Sequence, residues 1–291
     1  MQRDPYITQG YRRQSNSYQK CFWSLFYLHN ESVNTWSHIL PGLYFLVLLF
    51  AIDHWALQIP FHAPLSDIFA IQAYVTGTAG CLIFSAAFHA TDAHSPEVAT
   101  AFLKLDYIGI ILTISTTCIS VTYFAMHENT LLQAVYISFT ILCAVAVFWA
   151  TLDARMDGPR AAPWRKVYTS FSLFLSLSPE FNLHPVTVFT LLATGGLAPL
   201  FHLVWLDGLH ALYLRVPLDC LAVTCTSYAV GAMAYVTRFP EKYWVGRFDI
   251  FGASHQTFHV LVAFGQIVHL YGLKTALLNI HLGICQVGTN G

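Results

Sequence analysis

The chain has 291 residues, of which 56% are hydrophobic and only 10% charged, and its mean hydropathy is +0.54. That composition excludes an ordinary water-soluble globular protein and predicts a membrane protein. The formal net charge of −1 selects no partner by itself, but the absence of a basic patch and of soluble-cofactor motifs argues against nucleic acid and nucleotide cofactors.

Seven windows are long enough to cross about 30 Å of hydrocarbon as helices. They are centred on 37–59, 67–90, 102–124, 131–152, 186–206, 217–236 and 252–273. No period-two alternation runs through them, which argues against a membrane β-barrel. The prediction is an all-α, seven-transmembrane helical bundle at 37–275, between an N-terminal segment at 1–36 and a tail at 276–291. Because the connections are mostly short, one bundle is favoured over two domains.

The first 35 residues mix basic, acidic and aromatic side chains, unlike a cleavable signal peptide, so the first span serves as the insertion signal. At the entry to that span, "ESVNTWSH" (31–38) places Glu31, Asn34 and His38 on one helical face; a polar cap satisfying the helix end is the expectation for them. Trp36, Tyr44, Trp55 and Trp244 read as interfacial anchors. The second window ends in "FSAAFHATDAHS", with Ser85 one turn before His89. The third opens with "FLKLDYIGIIL", which predicts Asp106 about one turn inside the hydrocarbon. After the fourth window, "VYTSFSLFLSLS" (167–178) is apolar but too short to span alone, and it reads as an interfacial segment or the start of a kinked fifth span. The seventh window begins "FGASHQTFHVLVAFGQ", where His255 and His259 stand four residues apart. His202 and His269, nearer the other face, read as hydrogen-bonded packing residues. Seven cysteines, mostly in apolar windows and without a C-x-x-C pair, behave as small hydrophobes.

The basic residues set the orientation. Arg3, Arg12, Arg13 and Lys20, then Lys104, then Arg155, Arg160, Arg165 and Lys166, then Arg238, Lys242 and Arg247 fall on one side; only Arg215 and Lys274 fall on the other. By the positive-inside rule the N-terminus is cytoplasmic and the C-terminus extracytoplasmic. The "NES" sequon at Asn30 then faces the cytosol and stays unglycosylated.

In this orientation His89, His255 and His259 share one cytoplasmic depth. Histidines at i and i+4 point the same way, and a third from a neighbouring helix completes an open tetrahedral set for zinc. "HQTFH" lacks the glutamate that serves soluble zinc proteases as general base, and Asp106 is the only carboxylate within expected reach. Ionisable groups inside a membrane are expensive and point to function.

Three segments also resemble the signature regions of a known family: "GYRRQSNSYQKCFWSLFYLHNESVNTWSHIL", "SAAFHATDAHSPEVATAFLKLDYIGI" and "YVTRFPEKYWVGRFDIFGASHQTFHVLV", together about a third of the chain. They are similar to the progestin and adipoQ receptor family, with its adiponectin receptors, membrane progestin receptors, fungal members and haemolysin III relatives. The resemblance implies seven helices with a cytoplasmic N-terminus, Zn2+ held at His89, His255 and His259, Asp106 acting through water, and Ser85 nearby. It further implies a ceramidase-like lipid amide hydrolase tied to lipid metabolism and zinc homeostasis. The expected partners are a ceramide-like lipid or a steroid, with an extracellular protein agonist. Departures from the family pattern are Arg13 in place of proline, Ala253 in place of a frequent histidine, and an insertion-like stretch at 167–186. The competing expectation is a non-enzymatic receptor with structural zinc; transport is disfavoured by the near absence of charge along the helix midsections. No feature selects an oligomeric state.

Overall fold

The computed structural model describes residues 4–56, 63–152 and 192–282. All regular structure among them is helical: a short α1 (Tyr18–Ser24), then α2 (Ser32–Ala56), α3 (Leu65–Thr91), α4 (Pro96–Ala125), α5 (Thr130–Leu152), α6 (Ala198–Arg215), α7 (Leu218–Thr237) and α8 (Ser254–His281). The seven from α2 to α8 contain stretches long and apolar enough to cross a membrane, in the predicted number and order. Stretch 167–178, the basic residues from Arg155 to Lys166 and the first part of the fifth window lie outside the described residues, as does the side chain of Trp55.

Helix ends depart from the hydropathy windows because polar first turns belong to helices too. α2 begins at Ser32 and not at 37; α4 begins at Pro96 and not at 102; α8 continues to His281. At α4 the Ser95 hydroxyl accepts from the Val98 amide at 3.4 Å, with Pro96 in the first turn, a start that needs no apolar side chain. Asp106 consequently lies ten residues into α4, about 15 Å along its axis.

Inside the bundle, α3, α4 and α8 bury most of their surface, and Phe45, Tyr74, Leu82, Phe124, Leu270 and Leu273 close the main core. Close approach of α3 and α4 depends on glycine: a Cβ on Gly109 would lie 2.8 Å from the Cys81 Cα. Small residues permit such backbone contact between membrane helices, where packing rather than water exclusion drives association. On the periphery, Leu131, Val135, Phe139, Leu142 and Trp149 of α5 all point outward, an apolar face that suits lipid and not water.

The N-terminal segment folds across one end of the bundle. The Ser15 amide donates to the Ala93 carbonyl (2.8 Å), the Asn30 amide to the Gly10 carbonyl (3.0 Å) and the Gly246 amide to the Tyr6 carbonyl (3.2 Å). Thr8 donates to Asp249 from both its amide (2.8 Å) and its hydroxyl (2.9 Å). These bonds join the chain start to the connections that follow α3 and α7, and the candidate site lies beneath them.

Candidate metal centre

The site begins with how α8 starts. Ala253, at its N-cap, has no side-chain acceptor. Glu241, buried, supplies one: its carboxylate accepts from the Ser254 amide at 2.8 Å and from the Ser254 hydroxyl. A carboxylate there also opposes the positive end of the helix dipole. Gln256 fastens the same turn, accepting from the Gly252 amide (2.6 Å) and donating to the Asn30 and Ile250 carbonyls. From this fixed start, His255 in the first turn and His259 in the second face the end of α3, where His89 occupies the last turn.

Arg12 closes that last turn of α3. Its guanidinium donates to the His89 carbonyl (2.5 Å), the Ala90 carbonyl (2.8 Å) and the Ser24 hydroxyl (2.7 Å), and it pairs with Asp92. Carbonyls left over at a helix end need such donors. The neighbouring Arg13 is not among the donors of this cap.

The structure brings the three predicted histidines together, with ligand atoms all within 4.8 Å of one another. His89 Nε2 lies 3.3 Å from His255 Nε2, which lies 3.0 Å from His259 Nε2. Opposite them, His89 Nδ1 is 2.8 Å from Glu31 Oε2, and His259 Nδ1 is 3.2 Å from the Asn34 carbonyl. A carboxylate and a carbonyl only accept, so these two imidazoles, when neutral, carry their protons on Nδ1 and turn Nε2 lone pairs inward. His255 Nε2, lying between them, donates to one of these lone pairs or, with its proton on Nδ1, joins them as a third donor to a cation. Tetrahedral zinc with Zn–N bonds of 2.0–2.1 Å separates its nitrogen ligands by about 3.3 Å, so the donor set and its spacing fit that ion.

Glu31 corrects the expectation that Asp106 is the only carboxylate within reach: Glu31 touches the candidate ligand His89 directly. Burial pushes its acidity the other way, but the His89 hydrogen bond and charge, with the Asn34 amide, hold the carboxyl down to about 2. The Asn34 side chain donates to Glu31 Oε2 at 2.6 Å, and His38 stacks on His259 with ring centroids 3.9 Å apart. Outer partners of this kind fix ring orientation and raise ligand basicity. The polar-cap assignment for 31–38 therefore missed their contacts with histidines 58 and 225 positions away. The available signal was their common helical face at the mouth of an apolar span.

On the adjoining helices α3 and α4, Ser85 reaches Asp106, and Asp106 lies near His89. His202 stands apart, its Nδ1 2.9 Å from the Tyr136 hydroxyl. His269 packs edge-on against Tyr74 at 4.8 Å. His202 is the hydrogen-bonded packing residue expected, whereas His269 packs with its Nε2 buried and without a hydrogen-bond partner.

Fold and site together define a multi-pass integral membrane protein with a buried histidine triad at one end. A family model described as haemolysin-III related matches residues 26–270. The chain is 32% identical over 282 residues to the ADIPOR-like receptor IZH2 of Saccharomyces cerevisiae, covering 97% of this chain and 82% of that one. It is 29% identical over 290 residues to the adiponectin receptor protein of Drosophila melanogaster, covering 99% of this chain and 60% of that one. Similarity to progestin and adipoQ receptor family member 3 of Mus musculus is 28% over 272 residues, 92% of this chain and 78% of that one. The chain belongs to the haemolysin-III-related, progestin and adipoQ receptor family.

Proposed function

We propose that this protein is a zinc-dependent membrane receptor that hydrolyses the amide of a ceramide-like lipid, with its N-terminus in the cytosol. The observation that supports it most is the inward turn of three Nε2 atoms at 3.0–3.3 Å beside the Ser85–Asp106 pair. Held by His89, His255 and His259, a zinc ion would supply Lewis-acid polarisation of the amide carbonyl and a water acidified toward neutral pH.

The chain's own groups carry the proton traffic. Asp106 takes a proton from the attacking water and returns it to the leaving nitrogen. Ser85 orients Asp106 and offers its hydroxyl to the developing oxyanion. Glu31 offsets the positive charge of the site, and Asn34 and His38 hold His259 in place. Apolar helix faces on the bundle exterior allow a lipid substrate to arrive from the bilayer. The relatives' names as receptors favour an agonist, a steroid or an extracellular protein, that changes turnover; dependence on bound zinc would tie lipid metabolism to zinc supply.

The test compares zinc content and ceramide hydrolysis in purified wild type and Asp106→Asn. The expected result is about one zinc at the triad in both, with hydrolysis reduced 10²–10⁴-fold in the variant, the usual range for an acid–base group. Equal turnover in the two would remove Asp106 from the chemistry. A zinc-loaded wild type inert toward every ceramide would replace the hydrolase with a receptor whose zinc is structural.

A further inference from the structure

At the other end of the bundle a second set of metal-ligating side chains converges. Asp67 lies in the first turn of α3, His127 just after α4 and His281 at the last residue of α8. One oxygen or nitrogen from each falls within 4.8 Å of the others. Asp67 and His89 are both on α3, 22 residues apart in the sequence, so about 33 Å of helix separates this cluster from the triad.

The chemistry of the cluster is that of a built site. The Asp67 side chain is 1% exposed, those of His127 and His281 30% and 22%: a buried anion faces outward through two reachable imidazoles. Tyr123 donates to Asp67 Oδ1 at 2.6 Å, fixing the carboxylate as an outer partner fixes a ligand. His281 Nε2 lies 2.5 Å from Asp67 Oδ2, and His127 Nε2 3.8 Å from Oδ1. A buried carboxylate needs a compensating positive charge. Here only protonation of an imidazole or a bound cation provides it among these three residues.

We propose that Asp67, His127 and His281 form a second divalent-metal site, taking a borderline transition ion such as Zn2+ with two imidazole nitrogens and one carboxylate oxygen. Three ligands of this type leave a position for water or an exogenous ligand. To admit the ion, His281 exchanges its direct bond to Asp67 for the ion and moves outward by under an ångström, to the ligand spacing of about 3.3 Å that 2.0–2.1 Å bonds require. Its place at the end of α8 allows that movement. The same helices carry both sites: α3 holds Asp67 and His89, and α8 holds His281, His255 and His259. Metal at either end therefore ties α3 to α8, and the second site adds the end of α4.

The test uses full-length protein in detergent or nanodiscs, with Zn2+ and Co2+ as probes, in a His255→Ala/His259→Ala background that removes the triad. That background keeps the outcome independent of the hydrolase reading. Expected is one equivalent of Zn2+ per chain, bound by an otherwise triad-free protein, with a cobalt absorption spectrum distinct from that of the three-nitrogen site. His127→Ala/His281→Ala added to it abolishes this binding, while the same pair in the wild-type background loses one equivalent and keeps the other. Both His variants leave the buried Asp67–Tyr123 bond in place, and monodisperse elution with unchanged helicity verifies their folding. Absence of Zn2+ binding in the folded triad-free protein, or binding that survives loss of His127 and His281, overturns the proposal.

Discussion

Glu31 is the residue whose role changes most between sequence and structure. At the mouth of α2 it has the position of a capping group, yet its carboxylate accepts from His89 at 2.8 Å and from Asn34 at 2.6 Å. If it supports a metal ligand, Glu31→Gln lowers zinc affinity by 10–100-fold, the usual cost of losing an outer carboxylate, while the protein stays folded; unchanged affinity in a direct titration refutes the assignment. His29, two residues earlier, yields a separate prediction. Burial, and next the charge of Arg12, hold its imidazole down to about 4 from an ordinary 6.5. Between those values the unfolded chain takes up a proton that the folded chain refuses, so stability falls as pH drops from about 6.5 to about 4 and levels off below. His29→Asn removes that contribution, and its melting temperature should fall less steeply over the same window; parallel slopes count against it. The histidine cluster itself was legible because histidine is conspicuous in an apolar segment and i,i+4 spacing is local. Glu31 and Asn34 were not, because their meaning lies in contacts 58 and 225 residues away, which no periodicity encodes.

At the scale of the helix, the start of α8 shows how a defect in the local code is repaired from elsewhere. Ala253 cannot cap, and Glu241 does so from the preceding connection. Glu241→Ala removes the acceptor for the Ser254 amide and hydroxyl, an effect of about 1–2 kcal/mol on stability, and loosens the turn carrying His255. Zinc affinity should fall together with melting temperature, with partial recovery in Glu241→Gln; a loss of stability with undiminished affinity would separate the cap from the metal centre. Hydropathy alone gave seven spans in order but missed ends such as Ser95–Pro96, and it stopped the fifth at 206 where α6 runs to Arg215, because capping is polar chemistry and a window average sees only the apolar interior. Between helices, Gly109 makes an equally local demand. Gly109→Ala puts a methyl against the Cys81 backbone of α3, where neither partner is a flexible side-chain end. Overpacking of this kind costs about 1–3 kcal/mol, read as a lower melting temperature in detergent.

For the whole molecule, the span count was legible because lipid reverses the usual surface: α5 presents Leu131, Phe139 and Trp149 outward, so hydrophobicity persists on exposed faces where a soluble helix would turn polar. The joining of α2, α3 and α8 around one centre was legible only in part, through the shared depth of three histidines. The proposed orientation rests on a different asymmetry. Lys and Arg gather at the end of the bundle that holds the triad, where Arg12 and Arg238 are fixed by Asp92 and Asp4, while Arg215 is buried at the other end against Glu128 and Asp207. The cytosolic N-terminus proposed above on the positive-inside rule would put the triad end in the cytosol. The native sequon at Asn30 is a poor reporter of this, since the Asn30 amide donates to Glu31 Oε1 at 2.8 Å and a glycan there would collide with the site whichever side it faced. Acceptor sequons on flexible extensions avoid that ambiguity. One placed after Gly291 should be glycosylated and lose its glycan to endoglycosidase, and one placed before Met1 should remain unmodified. The reverse pattern would put the triad on the extracytoplasmic side, within reach of external metal, and the Asp67, His127 and His281 cluster in the cytosol.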